Sequence, residues 1–187
     1  MIISITGNAG SGKSTIAKRL AETLGYERFY MGKIRREAAK AKGMTLAEYN
    51  SYGETNPETD YKVDEYQKKL GEERDNFIVE GRTSWFLIPH SLKLYLKVDP
   101  REGARRVYQE LQESDHRNED QKLTSVDEVL LSHTKRMESD KKRYKKYYDV
   151  DCFNENNFDF VIDTTSLNPD EVFEKTWTFV KSRLPRA

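Results

Sequence analysis

At 187 residues the chain has room for one α/β domain with a sizeable core, or one domain carrying a small insertion. Lys plus Arg and Asp plus Glu number 32 each, so the formal net charge is zero, which argues against the net basic face that broad nucleic-acid binding needs. A lone cysteine, Cys152, rules out an internal disulfide and a multi-cysteine metal site, and no apolar run approaches the roughly 18–20 residues of a membrane span.

The opening residues run directly into a glycine-rich loop with no basic-then-apolar leader, so a soluble, cytoplasmic protein is expected, read as a monomer that acts on small-molecule nucleotides without membrane or nucleic-acid partners. Residues 2–6 read as a strand, and residues 13–24 as a helix with Ile16, Ala17, Leu20 and Leu24 on one face. Gly25 ends that helix. Residues 27–31 form a second strand, closed by Gly32, and a basic helix starts at Lys33. Thr45 and Glu48 form a capping box for a helix to about Glu54, and Asn56-Pro57 breaks the chain before a helical stretch over 58–74. Strands follow at 77–79 and 92–98, and Asp99-Pro100 opens another helix. Residues 112–124 read as a loop. Ser125 and Glu128 make a second capping box for a long helix toward Tyr147, the last strand covers 158–162, and Asn168-Pro169 starts the closing helix.

Strands alternating with helices predict a parallel sheet with helices on both faces, in one α/β domain over 1–187. Two helical runs stand outside that alternation, 33–74 and 112–147, and are expected to cover a substrate.

Between the first strand and first helix stands Gly7-Asn8-Ala9-Gly10-Ser11-Gly12-Lys13-Ser14, then Thr15, a full match to G-x-x-x-x-G-K-[ST]. Such a turn aims backbone N–H groups at phosphate oxygens, Lys13 reaches the β- and γ-phosphates, and the Ser14 hydroxyl can ligate Mg²⁺. Nucleotide binding follows, but not the fate of the triphosphate. A guanine-reading [NT]-K-x-D is absent, Thr134-Lys135-Arg136-Met137 being the nearest approach, and no strand ends in the Asp-Glu pair of a motor ATPase.

The middle strand ends in Glu80-Gly81-Arg82 instead. Glu80 would hold the metal's water shell, and Arg82 would fork onto phosphate. Arg36, one turn after Gly32, points from a flap toward the same sheet edge, whereas Arg35 should face solvent or the opposite wall. On the long helix, Arg136 and Arg143 are seven apart and share a face, where they could neutralise a transferring phosphoryl group. An anionic phosphate acceptor needs no general base, so alignment and charge neutralisation would suffice.

These residues resemble those of the nucleoside-monophosphate kinases, and more narrowly the archaeal-type cytidylate kinases. The resemblance lies in residues 41–64 (AKGMTLAEYNSYGETNPETDYKVD), 76–85 (NFIVEGRTSW), 138–151 (ESDKKRYKKYYDVD) and 158–172 (FDFVIDTTSLNPDEV). It implies a three-layer P-loop NTPase fold with a five-stranded parallel sheet, an acceptor flap at about 33–74 and a lid at about 112–140. It also implies transfer from ATP, with Mg²⁺, to CMP or dCMP. Arg36 and Arg82, beside Gly32, look like the acceptor-phosphate grip, Arg136 and Arg143 like lid-side arginines, and Arg106, placed with the acceptor site, like the arginine on the helix after strand four. Glu110 stands where the family often has a further arginine, and 111–125 is longer and more polar than the family leads one to expect. Tyr49, Asp64 and Trp85 stand near the flap, without a base-reading role falling to any one of them. The residues alone leave other acceptors open: AMP, dTMP, a metabolite hydroxyl, or a non-catalytic nucleotide- or RNA-binding role.

Overall fold

The hydrophobic strand Ile3–Gly7 (β1) is buried along its whole length, as a strand must be when it has neighbours on both edges and layers on both faces. In the computed structural model, which describes residues 1–113 and 123–185, β1 is the centre of a five-stranded, all-parallel sheet. The other strands are β2 (Glu27–Tyr30), β3 (Phe77–Glu80), β4 (Leu92–Lys97) and β5 (Phe160–Asp163), in the order β2-β3-β1-β4-β5. Ile3 pairs with Ile78 on one side and Leu92 on the other. That register brings Gly7, Glu80 and Lys97 to the same carboxyl edge, where open α/β sheets bind ligands.

Alternation along β1 divides the core. Ile3 and Ile5 face α1 (Lys13–Leu24) and the closing helix, with Ile16, Leu20, Phe173 and Val180. Ile2 faces the opposite layer with Met31, Val63, Leu70, Phe77 and Ile88. That layer is built from α2 (Met31–Ala41), α3 (Leu46–Gly53), α4 (Glu58–Glu73) and the short α5 (Ser84–Leu87). Beyond the sheet, α6 (Pro100–Glu113) packs on α7 (Val126–Tyr148) through Ala104, Val107 and Val129, and α8 (Pro169–Arg183) closes the chain. Among the described residues no helix is long and apolar enough to cross a membrane.

Several boundaries differ from expectation. α2 begins at Met31, so Gly32 lies inside its first turn instead of closing β2, and a Cβ there would meet the Tyr30 ring at 2.6 Å. α5 had no signal, since four residues make too little of a helical period to see. α6 runs to Glu113, past the predicted start of the loop, and residues 114–122 of that loop lie outside the described ones. The Thr45 capping box is reciprocal, whereas Glu128 turns its carboxylate to Thr124 and leaves Ser125 as a one-way cap. β5 starts two residues late: at its entry Asp159 donates its backbone N–H to the Lys93 carbonyl, while the Lys93 N–H goes to the Asp159 side chain and not to a strand carbonyl.

Candidate active site

The turn from β1 to α1 is held by backbone. Gly10 has φ 76°, in the left-handed region that favours glycine, and a Cβ there would collide with the carbonyl of Gly103 on α6. Gly103 in turn lies so close that its own added Cβ would meet the Ala9 carbonyl at 2.6 Å. Two glycines far apart in sequence thus let α6 brace the phosphate loop. Lys13 donates to the Asn8 carbonyl within that loop, and Asn8 Nδ2 meets the Met137 sulfur of α7 at 3.7 Å.

Beside the loop, Ser14 Oγ donates to Glu80 Oε2 at 2.9 Å, and Arg28 of β2 binds the other carboxylate oxygen at 2.5 Å. Glu80 is 2% exposed, so this pairing with Arg28 offsets the cost of burying its charge. Arg82 reaches back across the edge to the Gly7 carbonyl and pairs with Asp140 of α7 at 3.1 Å. Burial works against both charges, yet the pairing wins: Arg82 is held more firmly protonated, and Arg143 and Arg82 keep the Asp140 carboxyl below the ordinary range.

A single cleft of ≈ 1190 Å³ runs along this edge, more than the roughly 300–1,000 Å³ of a typical one-ligand site. Its walls include Gly7 and the loop from Ala9 to Thr15 at one end, and Gly32, Arg36, Arg82 and Thr83 with α4 residues at the other. Arg36 donates to the Tyr30 hydroxyl at 3.0 Å, while its Nε–H is buried with no acceptor among the described residues. Arg136 also lines the cleft.

Three expectations need correction. Of the two places expected for Arg35, solvent is excluded: it is 8% exposed, paired with Asp60 at 2.6 Å and Asn50 at 2.8 Å, because α3 and α4 fold over that face of α2. Arg106 was placed with the acceptor, but its guanidinium binds the Thr164 and Thr165 carbonyls at 2.7 and 2.9 Å and lies 3.5 Å from the Gly10 carbonyl. The Gly103 contact fixes α6 against the phosphate loop, so the residue one turn on belongs to the loop's side. Arg143 was expected on the reacting face. It is fully buried behind the cleft wall, bound to both oxygens of Asp60 at 2.5 and 2.7 Å and to Asp140.

Sequence reasoning passed over Asp60, Gln67 and Asp140, and left Asp64 without a role, although all four line the cleft. Three of the four stand on α4. The signal was their spacing: Asp60, Asp64 and Gln67 fall on the same helical face as Val63 and Leu70, which is the buried one.

The sequence model of the cytidylate kinase-like family matches residues 2–166, most of the chain. The chain belongs to the cytidylate kinase-like family. Among curated relatives, the cytidylate kinase of Archaeoglobus fulgidus is 37% identical over 176 residues, 93% of this chain and 91% of that protein. That of Methanopyrus kandleri is 35% identical, covering 92% and 89%. That of Pyrococcus furiosus is 33% identical, covering 92% and 84%. Among solved structures, a shikimate kinase from Bacteroides thetaiotaomicron superposes with TM-score 0.65 at 14% identity, covering 97% of this chain and 98% of that one. A Eubacterium ventriosum protein gives TM-score 0.70 at 18% identity, covering 98% and 99%. At such identities the likeness is one of fold, and this member of the cytidylate kinase-like family has the fold of a P-loop kinase.

Proposed function

We propose that the protein is a nucleoside-monophosphate kinase that moves the γ-phosphoryl group of ATP to CMP or dCMP, giving ADP and CDP or dCDP. The observation that carries the reading is the shared cleft. It holds a phosphate loop at one end and, at the other, Arg36 with a buried N–H that lacks an acceptor among the described residues. Membership of the cytidylate kinase-like family supplies the acceptor's identity.

The loop from Gly7 to Thr15 holds the donor triphosphate through backbone N–H groups and Lys13. Arg106 ties the phosphate loop to the turn after β5 and so shapes the donor side. Arg36 and Arg82 grip the acceptor phosphate, and Asp140 keeps the Arg82 fork in one orientation. An oxygen of the acceptor phosphate attacks Pγ as the bond from Pγ to the β–γ bridging oxygen breaks, and ADP leaves. No proton needs removing, so alignment and charge neutralisation by Lys13, Arg82 and Arg136 account for the rate. Arg143 acts behind the wall, holding Asp60 and Asp140 in place.

Mg²⁺ fits this chemistry. The Ser14 hydroxyl and the Glu80 carboxylate converge at 2.9 Å as hard oxygen donors. Among the described residues no group of three or more His, Cys, Asp or Glu could hold a metal ion, so the ion would take its other ligands from phosphate and water. When bound, it would neutralise charge on the β- and γ-phosphates.

The test is kinetic: kcat and KM with ATP against CMP, dCMP, UMP, AMP and dTMP. CMP or dCMP should give the highest kcat/KM, and preference for any other acceptor would overturn the assignment.

A further inference from the structure

Four carboxylates are buried among the described residues: Asp60, Asp64, Glu80 and Asp140. Three of them contact arginine, Asp60 through Arg35 and Arg143, Glu80 through Arg28, and Asp140 through Arg82 and Arg143. Asp64 is held by neutral groups instead. Its Oδ1 accepts from Thr83 Oγ1 and Gln67 Nε2, each at 3.0 Å, and its Oδ2 accepts from the Tyr148 hydroxyl at 2.6 Å. Gln67 is itself fixed, accepting from Ser84 Oγ at 2.6 Å.

A buried carboxyl without a cation is costly unless something else uses it. Burial pushes Asp64 up to about 6, against the pull of the Tyr148 and Thr83 hydrogen bonds, with Asp60 adding to the rise and Arg35 opposing it. The group also lines the cleft, in company with the apolar Met31 and Val63 and with Gln67 and Thr83. Thr83 directly follows Arg82, so the cluster adjoins the phosphate grip. An apolar slot with one rigid polar edge suits a flat heterocycle. The other two candidates near the flap do not line the cleft: Tyr49 donates to the Thr59 carbonyl, and Trp85 packs against Phe86 and Phe158.

We propose that Asp64 reads the base of the acceptor, its carboxyl accepting the exocyclic amine of cytosine while Thr83, Gln67 and Tyr148 fix its orientation. This rests on the CMP reading above and names the residue behind it. Cytosine offers N–H donors at its fourth position, whereas uracil offers a carbonyl oxygen there. An ionised carboxylate has acceptors only, so it bonds the amine and sets lone pair against lone pair with the uracil oxygen. An amide of the same shape can turn either its donor or its acceptor to the base, and so tolerates both.

The experiment compares wild type, Asp64→Asn and Asp64→Glu at pH 8 with saturating ATP, measuring kcat and KM for CMP and UMP, with a thermal melt of each protein. Wild type should favour CMP. Asp64→Asn should narrow the CMP:UMP ratio of kcat/KM by about ten- to a hundredfold, the scale set by one base-edge pairing, chiefly through a lower KM for UMP and with the KM for ATP unchanged. Asp64→Glu, whose carboxyl is displaced by one methylene, should lose efficiency on CMP without gaining any on UMP. A folded Asp64→Asn that keeps the wild-type ratio overturns the role of Asp64 while leaving the kinase assignment intact. Should Asp64→Asn fail to fold, a folded Asp64→Glu with wild-type kinetics on both bases overturns it instead. Wild type that phosphorylates neither pyrimidine removes the CMP reading, and this proposal with it.

Discussion

Replacing Arg143 with methionine removes the cation that links α4 to α7 while keeping most of the side chain's volume. Arg143 is fully buried and holds Asp60 at 2.5 and 2.7 Å as well as Asp140. Without it, Asp60 keeps its pair with Arg35 at 2.6 Å, and Asp140 keeps its pair with Arg82 at 3.1 Å. Breaking a buried pair costs about 3–5 kcal/mol, and because each carboxylate retains one arginine the loss should fall near the lower end, about 3 kcal/mol. For a chain of this size that lowers Tm by roughly 6–12 °C. The assay is thermal or urea unfolding of wild type, Arg143→Met, Asp60→Asn and the double variant. Neutralising Asp60 removes one of the stranded charges, so the double variant should be more stable than the sum of the single effects predicts. Turnover measured well below the melt should recover in step with stability. A single variant melting within about 2 °C of wild type, or a cycle with no coupling, would refute the reasoning.

The remaining expectations concern the two halves of the cleft and its buried carboxyl. Arg36→Met and Arg82→Met should each lower kcat/KM for the nucleotide acceptor by about 10²–10³-fold with little change in the KM for ATP, as steady-state kinetics will read. Gly103→Ala, whose Cβ would meet the Ala9 carbonyl at 2.6 Å, should do the reverse, raising the KM for ATP and weakening the thermal shift that ATP produces while sparing the acceptor. Asp64, raised from 3.8 to about 6, favours the proton in the folded state. Its stabilising contribution is therefore full below pH 4 and is lost as pH rises through 6, a change of up to about 3 kcal/mol. Urea midpoints of wild type and Asp64→Asn from pH 4 to 8 should diverge in that window, wild type becoming the relatively weaker. Parallel curves would contradict the assigned environment.

How much of this was legible in the sequence differs from one half of the cleft to the other. The donor half is written in consecutive residues: a hydrophobic strand, the loop Gly7 to Ser14 and an amphipathic helix appear in the order in which they act. The five strands were readable from short runs rich in β-branched and aromatic residues or, in β4, from a clean alternation of apolar and polar residues, and their parallel order follows from the alternation with helices. The acceptor half depends on residues brought together from four elements. Arg35 and Arg36 are neighbours in one helix, and sequence alone cannot tell which of the two α3 and α4 will bury. Arg143 and Arg136 share a nominal face, but seven residues of real α-helix drift by about 20°, and here one lines the cleft while the other lies behind it. Gly103 had no local signal, since its importance lies in the approach of the Ala9 carbonyl from 94 residues earlier.

The central claim is that the cleft carries a phosphoryl group from a triphosphate to an anionic nucleotide. Incubating the protein with Mg²⁺, CMP and ATP labelled with ³²P at the γ position, then separating the nucleotides, tests it most directly. The account predicts label in the β-phosphate of CDP, with one ADP formed for each CDP. Label appearing only as inorganic phosphate, or remaining wholly in ATP, would contradict it.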